Sequence, residues 1–413
     1  MLNKIKTSHL FNIFIFLLII LLIVIFRDFF NVGLKGQDKG YTDKNSLVDE
    51  IKNICVKETI DKQISKETCY SKEFDKIAYK NGPEYAFDVL FGLQKKDSDA
   101  IGCHFIAHGI GSGTYRKNPN DWQNQITKIN SACSYGAPMG VIELYVASLG
   151  DGSLSKEFAP TLCGANPRAD CNHMVGHLIL VDSSVKGNIS KAIDICTVFK
   201  DATQRNFCQT GVFMENVTAL GLIDHGYADK SYLNWPERVD GLEKLCRSYK
   251  GEEAAACWEE IVHAAIVKFN NDPKKTFDFC NSSQSEDGAK RCKRHSIGII
   301  GASKNFNLTL LKPMCSIPQK NDPDFEKQCY PALVSSALST IPDGVPEAIS
   351  FCNSLEGEFQ PSCFSMIGAF SSYGSWPKEE FQKACNEAPA EYRSYCTGAS
   401  LVPYGASYNR NND

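Results

Sequence analysis

Six of the chain's eight histidines follow closely on a cysteine: His104 and His108 after Cys103, His173 and His177 after Cys171, His263 after Cys257, and His295 after Cys292. His9 and His225 lie elsewhere. Two sets read H-x-x-x-H, which on a helix puts both imidazoles on one face, one turn apart. That is the geometry of a two-histidine clamp for a first-row transition metal. Two acids are carried in apolar stretches, Glu143 in Val141-Ile142-Glu143 and Glu215 in Phe213-Met214-Glu215-Asn216. An unpaired charge there is costly, so each needs a partner. His177 and Glu215 stand at nearly the same offset from their cysteines and are expected to face each other across adjacent helices. Six residues past successive cysteines come Met139, His177, Met214 and His263, a His and Met band that suits a soft metal. The candidate metal ligands are therefore His104, His108, His173, His177, Glu143 and Glu215. In an enzymatic version the histidines hold the metal and a glutamate acts as base on its water.

A plainer reading competes with this one. Histidine and glutamate on touching helices bond each other as a buried polar network, and methionine is common core filler. Helix axes pack about 8–10 Å apart, so alternate inner helices stand nearly twice that distance apart unless the array curls tightly. Other catalytic signatures are absent: no H-E-x-x-H, G-x-S-x-G, P-loop or EF-hand loop. The glycine-rich run Gly109-Ile110-Gly111-Ser112-Gly113 follows a helix instead of a strand and reads as a helix C-cap and turn.

The elements that must position these residues are marked by the 18 cysteines. No C-x-x-C or C-x-x-C-H is present, so zinc-ribbon, redox and c-type haem readings have no support. One kind of cysteine ends a short amphipathic run, as in Leu242-x-x-Leu245-Cys246 and Leu311-x-x-Met314-Cys315. The other opens a run of small and apolar residues. The two kinds alternate, which predicts the pairs Cys55–Cys69, Cys163–Cys171, Cys196–Cys208, Cys246–Cys257, Cys280–Cys292, Cys315–Cys329, Cys352–Cys363 and Cys385–Cys396. Cys103 and Cys133 are both of the second kind and are paired with each other, linking two inner helices. From Cys163 on, the first kind recurs about every 33 to 37 positions with one longer step. A period in the mid-thirties is that of a helix–turn–helix repeat, and the i, i+3 apolar spacing turns one face of the first helix inward. Each disulfide then staples a hairpin, contributing about 2–3 kcal/mol in the chain-entropy model.

Period and cysteine placement over roughly residues 46–404 resemble Sel1-like and tetratricopeptide arrays, some of which carry one disulfide per hairpin. The L-G-x-x-Y core and paired glycines of those families are largely missing, so the resemblance implies a fold class and no site. The expectation is an all-α protein: a solenoid or curled array of disulfide-stapled antiparallel helical hairpins, behind one N-terminal transmembrane helix. The stretch Leu222 to Gly241 reads as an insertion in one repeat.

Leu10 to Phe26 is apolar apart from Asn12, with Lys4 and Lys6 before it. The run is near the lower length limit of a membrane span. No small-x-small cleavage site follows, which favours an uncleaved signal anchor over a cleaved signal peptide. The positive flank places the N-terminus inside and the body outside the cytoplasm, where an even cysteine count reads as disulfides. The expected organisation is a cytoplasmic N-terminus (1–9), a signal anchor (10–27), a tether (28–45), a helical-repeat ectodomain (46–404) and a tail (405–413). Net charge is -4 without basic blocks, which excludes a nucleic-acid footprint. Two function classes remain. The first is a membrane-anchored binding scaffold presenting a His/Glu-lined concave surface to a protein, peptide or glycan. The second is a metal-binding protein or metal-dependent enzyme using the two H-x-x-x-H helices with Glu143 and Glu215. Architecture favours the first.

Overall fold

The computed structural model describes residues 44–399, except 63–64, 131, 151, 153, 165–168, 225–226, 318–321, 323, 342–343 and 372–377. The expected signal anchor (10–27) and the expected tether (28–45), apart from Lys44 and Asn45 at the start of a helix, fall outside the described residues. Among those described, no helix is long and apolar enough to cross a membrane. The chain divides into two compact units, 1–47 and 48–413. Only the first turn of a helix is described in the former, and every other described residue belongs to the latter.

Among the described residues the fold is all-α, without strands. In chain order the α-helices are α1 (Lys44–Lys62), α2 (Lys66–Asn81), α3 (Pro83–Gln94), α4 (His104–Lys117), α5 (Trp122–Lys128), α6 (Gly136–Leu149), α7 (Ala169–Val181), α8 (Ile189–Cys196), α9 (Ala202–Thr218) and α10 (Leu220–Asp224). They continue as α11 (Trp235–Ser248), α12 (Gly251–Lys268), α13 (Pro273–Cys280), α14 (Glu286–Ser303), α15 (Leu308–Cys315), α16 (Phe325–Thr340), α17 (Val345–Asn353), α18 (Gln360–Ser371), α19 (Lys378–Cys385) and α20 (Arg393–Cys396).

A local rule repeats along the chain. Asn188, Asp272 and Asn307 each cap a helix, accepting from the amide three residues on at 3.0–3.1 Å. Eight residues of helix follow and end on a cysteine, at Cys196, Cys280 and Cys315. The cap satisfies orphan amides of the first turn, and its oxygen commits the Asn188 and Asn307 side chains. A longer helix then returns. The disulfides join Cys196 to Cys208, Cys280 to Cys292 and Cys315 to Cys329 across these hairpins. Eight bonds connect the pairs the cysteine alternation predicts, and the ninth joins the two cysteines outside it, Cys103 and Cys133, as expected; no described cysteine is free. Paired helices and nine disulfides are compatible with a helical-repeat architecture, and so many bonds belong to an oxidising, extracytoplasmic environment.

The long helices pack successively: α2 on α4, α4 on α6, α7 on α9, then α9, α12, α14, α16 and α18 in turn. The unit also folds back on itself. The Cys133 amide donates to Ser339 O at 2.8 Å, and Gln94 Nε2 donates to Thr340 O at 3.0 Å. The end of α16 thus rests on the segments flanking α4, more than two hundred residues earlier. Arg291 on α14 donates to Asn206 on α9 at 2.5 Å and to Glu252 on α12 at 3.0 Å. One side chain therefore bridges three successive inner helices, which is tight curvature.

The glycine run at 109–113 lies inside α4, contrary to the C-cap expectation. The reason is packing on both sides. A Cβ at Gly109 or Gly113 would strike carbonyl oxygens of α2, and one at Gly111 would strike Ala137 O on α6. Backbones approach closely enough for Cα–H···O contacts, which side chains would prevent.

Candidate functional site

Close packing brings α4 and α6 together around one histidine pair, and α7 and α9 around the other. A Cβ on Gly140 would overlap the His108 carbonyl oxygen, and one on Gly211 would overlap that of His173. The glycines therefore set the distance at which polar side chains of one helix meet the next.

On α4, His108 Nδ1 lies 3.1 Å from Glu143 Oε2 on α6, and His104 Nδ1 lies 3.2 Å from Cys133 O. On α7, His177 Nδ1 lies 3.0 Å from Glu215 Oε2, and His173 Nδ1 lies 2.9 Å from Thr210 Oγ1, both partners being on α9. The His177–Glu215 pair is the one expected from matched offsets. Glu215 Oε1 accepts from the Gly221 and Leu222 amides at 2.8 and 3.2 Å. Arg238, from the segment read as an insertion, donates to Asn216 O and Val217 O at 2.9 and 3.0 Å and pins the end of α9.

These partners fix the tautomers. A carbonyl and a carboxylate only accept, so His104, His108 and His177 donate from Nδ1. Thr210 spends its proton on Phe207 O at 2.9 Å, so it accepts from His173 Nδ1. With Nδ1 so engaged, the neutral form of each ring carries its lone pair on Nε2. Those lone pairs face each other: His104 Nε2 to His108 Nε2 is 3.3 Å, and His173 Nε2 to His177 Nε2 is 3.1 Å. The Met214 sulfur adds a third at 3.3 Å from His173 Nε2. Burial, and then the neighbouring His108, holds His104 down to about 3, and burial with His177 holds His173 well below its ordinary value.

Glu143 and Glu215 thus stand behind the rings, on Nδ1, and orient Nε2 instead of offering a ligand beside it. A histidine that ligates a metal almost always donates its other N–H to a carboxylate or carbonyl. Two nitrogens ~2.0–2.1 Å from a common ion and 3.1–3.3 Å apart subtend about 100–110°, the tetrahedral range.

The curvature gathers the remaining histidines. His263 on α12 and His295 on α14 have ring centroids 4.8 Å apart, with Glu260 of α12 beside both. His263, His295 and His104 each depress the proton affinity of His173, and His177 depresses that of His104 and His263. The three groups share one interior. Glu67 of α2 joins the rim: burial raises its carboxyl, and His108 pulls it back. His9 and His225 lie outside the described residues.

Glu260 and Met214 are the site residues that a two-helix reading underweights. Met214 shows as a soft donor on the predicted band, although it meets His173 and not the same-offset His177. Glu260 was legible in Glu260-Ile261-Val262-His263, an i, i+3 spacing typical of carboxylate-bridged metal helices. Comparison with known proteins gives no match among family models, curated proteins or solved structures.

Proposed function

We propose that this chain is a membrane-anchored, extracytoplasmic helical-repeat protein whose concave inner face binds transition-metal ions at two histidine dyads, His104/His108 and His173/His177. The array is a curled, Sel1-like or tetratricopeptide-like solenoid tethered through residues 10–27. One observation carries the metal reading over a peptide or glycan groove: in each dyad both Nδ1 atoms are engaged by fixed acceptors, which turns the two Nε2 atoms toward one another across 3.1–3.3 Å. A groove for a polar ligand would turn the ring edges toward that ligand and not toward each other. A cation satisfies both at once. Met214 adds a thioether to the second dyad, and an N₂S set is the soft combination that favours copper(I).

The test is metal analysis of the purified full-length chain, disulfides intact, after exposure to copper(I), copper(II) and zinc(II). The expectation is bound metal that falls by one equivalent in His104→Ala/His108→Ala, by one in His173→Ala/His177→Ala, and by both in the combined variant. Uptake unchanged in both double variants would sink the proposal and leave a scaffold with a buried polar network.

A further inference from the structure

We propose that Glu260, His263 and His295 form a third cation site, harder in character than the two dyads and suited to a divalent ion of the zinc(II) or iron(II) class. The proposal rests on the curled inner face of the proposed metal-binding array but uses none of the dyad residues.

The donors come from two helices held in fixed register. Glu260 and His263 are one turn apart on α12, and His295 projects from α14, which packs against it. Glu260 Oε2 lies 3.6 Å from His263 Nε2, and Glu260 Oε1 lies 3.8 Å from His295 Nδ1. The three ligand atoms all lie within 4.8 Å of one another. These separations are too long for hydrogen bonds. The 3.6 and 3.8 Å contacts are within a few tenths of an ångström of the tetrahedral edges expected for ligands ~2.0–2.2 Å from a shared ion, and rotamer changes of the three side chains draw the set, now within 4.8 Å, onto one centre.

The second observation is what these atoms lack. Glu260 is 1% exposed, yet its Oε2 and the His263 Nε2 are buried without a hydrogen-bond partner. A desolvated carboxylate oxygen beside an unpaired ring nitrogen is costly in a folded protein. An ordinary ion pair would shorten to about 2.7–2.9 Å. Arg291 does not supply the missing charge, because it is engaged with Asn206, Glu252 and Asp287. A divalent cation between the three donors satisfies the carboxylate, the orphan nitrogen and the long spacing together.

The chemistry differs from that of the dyads. There the carboxylates sit behind the rings on Nδ1, whereas Glu260 faces the imidazoles' ligand atoms directly. An N₂O set with no sulfur is borderline-hard and disfavours copper(I) relative to zinc(II), cobalt(II) or iron(II). Two histidines and one carboxylate also leave coordination positions open for water or a small anion.

Cobalt(II) is the probe, because its visible absorption reports ligand geometry. The purified full-length chain, disulfides intact, is titrated with cobalt(II), and copper(I) uptake is measured separately by competition with a chromophoric chelator. The expected result is that His295→Gln and Glu260→Gln each bind one cobalt(II) fewer than wild type and lose its visible bands, with copper(I) uptake unchanged. The His295 side chain is 27% exposed, so its substitution is the milder; circular dichroism checks both folds. Wild-type spectrum and stoichiometry in both variants, or no cobalt(II) uptake by wild type, overturns the third site. Failure of the dyads alone looks different: no copper(I) uptake in any form, with the cobalt(II) differences intact.

Discussion

The hairpins α8–α9 and α17–α18 are built alike and lined differently. Each joins a short helix to a longer one through a disulfide, Cys196–Cys208 in the first and Cys352–Cys363 in the second, with Cα–Cα distances of 5.6 Å in both. In the first, the inner helix faces α7 and carries Thr210, Met214 and Glu215 onto two histidines. In the second, the buried run is Phe364, Ser365, Met366 and Ile367, with no histidine or carboxylate in the helix. Hairpin and disulfide therefore need no histidine. Among the described residues the histidines are confined to α4 through α14, where burial makes them expensive, and a region that keeps a costly feature its twin lacks is the place to look for function.

The largest expected effect that tests this contrast is loss of metal. His173→Ala/His177→Ala should weaken copper(I) binding at that dyad by at least about 100-fold, whereas Ser335→Ala/Ser336→Ala on α16 should leave it unchanged. Met214→Leu should cost copper(I) roughly tenfold or more and spare zinc(II), since only the soft donor is lost. Equal losses for both ions would remove the argument for softness.

Disulfide removal comes next. Cys196→Ala/Cys208→Ala and Cys352→Ala/Cys363→Ala should each destabilise by about 2–4 kcal/mol in denaturant titrations. Only the first should also lower metal affinity, because it loosens the helix that holds His173 and His177 in place. If both variants lowered it alike, the C-terminal hairpins would be part of the site.

Glycine substitutions separate close packing from mere tolerance. Gly211→Ala drives a methyl into the His173 carbonyl and should cost about 1–3 kcal/mol by overpacking. Gly357→Ala, with nothing within 4 Å of the added carbon, should change stability by less than about 0.5 kcal/mol.

A smaller effect concerns pH in the metal-free protein. His104, His173, His263 and His295 all have folded proton affinities below their unfolded value, chiefly through burial. Their contribution is complete above the unfolded value near 6.5. It is lost as pH falls toward the folded values, about 3 for His104 and about 4 for His263. Glu260 acts oppositely: burial raises its carboxyl, so its penalty grows as pH rises. Four groups outweigh one. Stability should fall on acidification from pH 7 to 5 by on the order of 1 kcal/mol per pH unit, read from thermal melts. A melt that does not move with pH would deny that these four rings are buried neutral.

The sequence by itself determined the helices, the nine cysteine pairs and the identity of the histidine pairs. Those properties are local. A cap, eight residues and a cysteine specify a hairpin, and i, i+4 spacing puts two imidazoles on one face wherever the helix sits. Matched offsets along neighbouring helices extended this to His177 and Glu215. Tertiary structure decided the rest. Whether alternate inner helices meet depends on curvature, which comes from Arg291 bridging α9, α12 and α14 and from α16 closing on the α4 segments through Cys133, Gln94, Ser339 and Thr340. Contacts between residues so far apart in sequence leave no periodic mark. The glycines at 109–113 read locally as a helix end, and only their neighbours' carbonyls keep them inside one. The role of each carboxylate was likewise settled in three dimensions. Glu143 and Glu215 reach Nδ1, while Glu260 is left facing two imidazole nitrogens, because the direction of approach to an imidazole is fixed by helix packing and not by residue type.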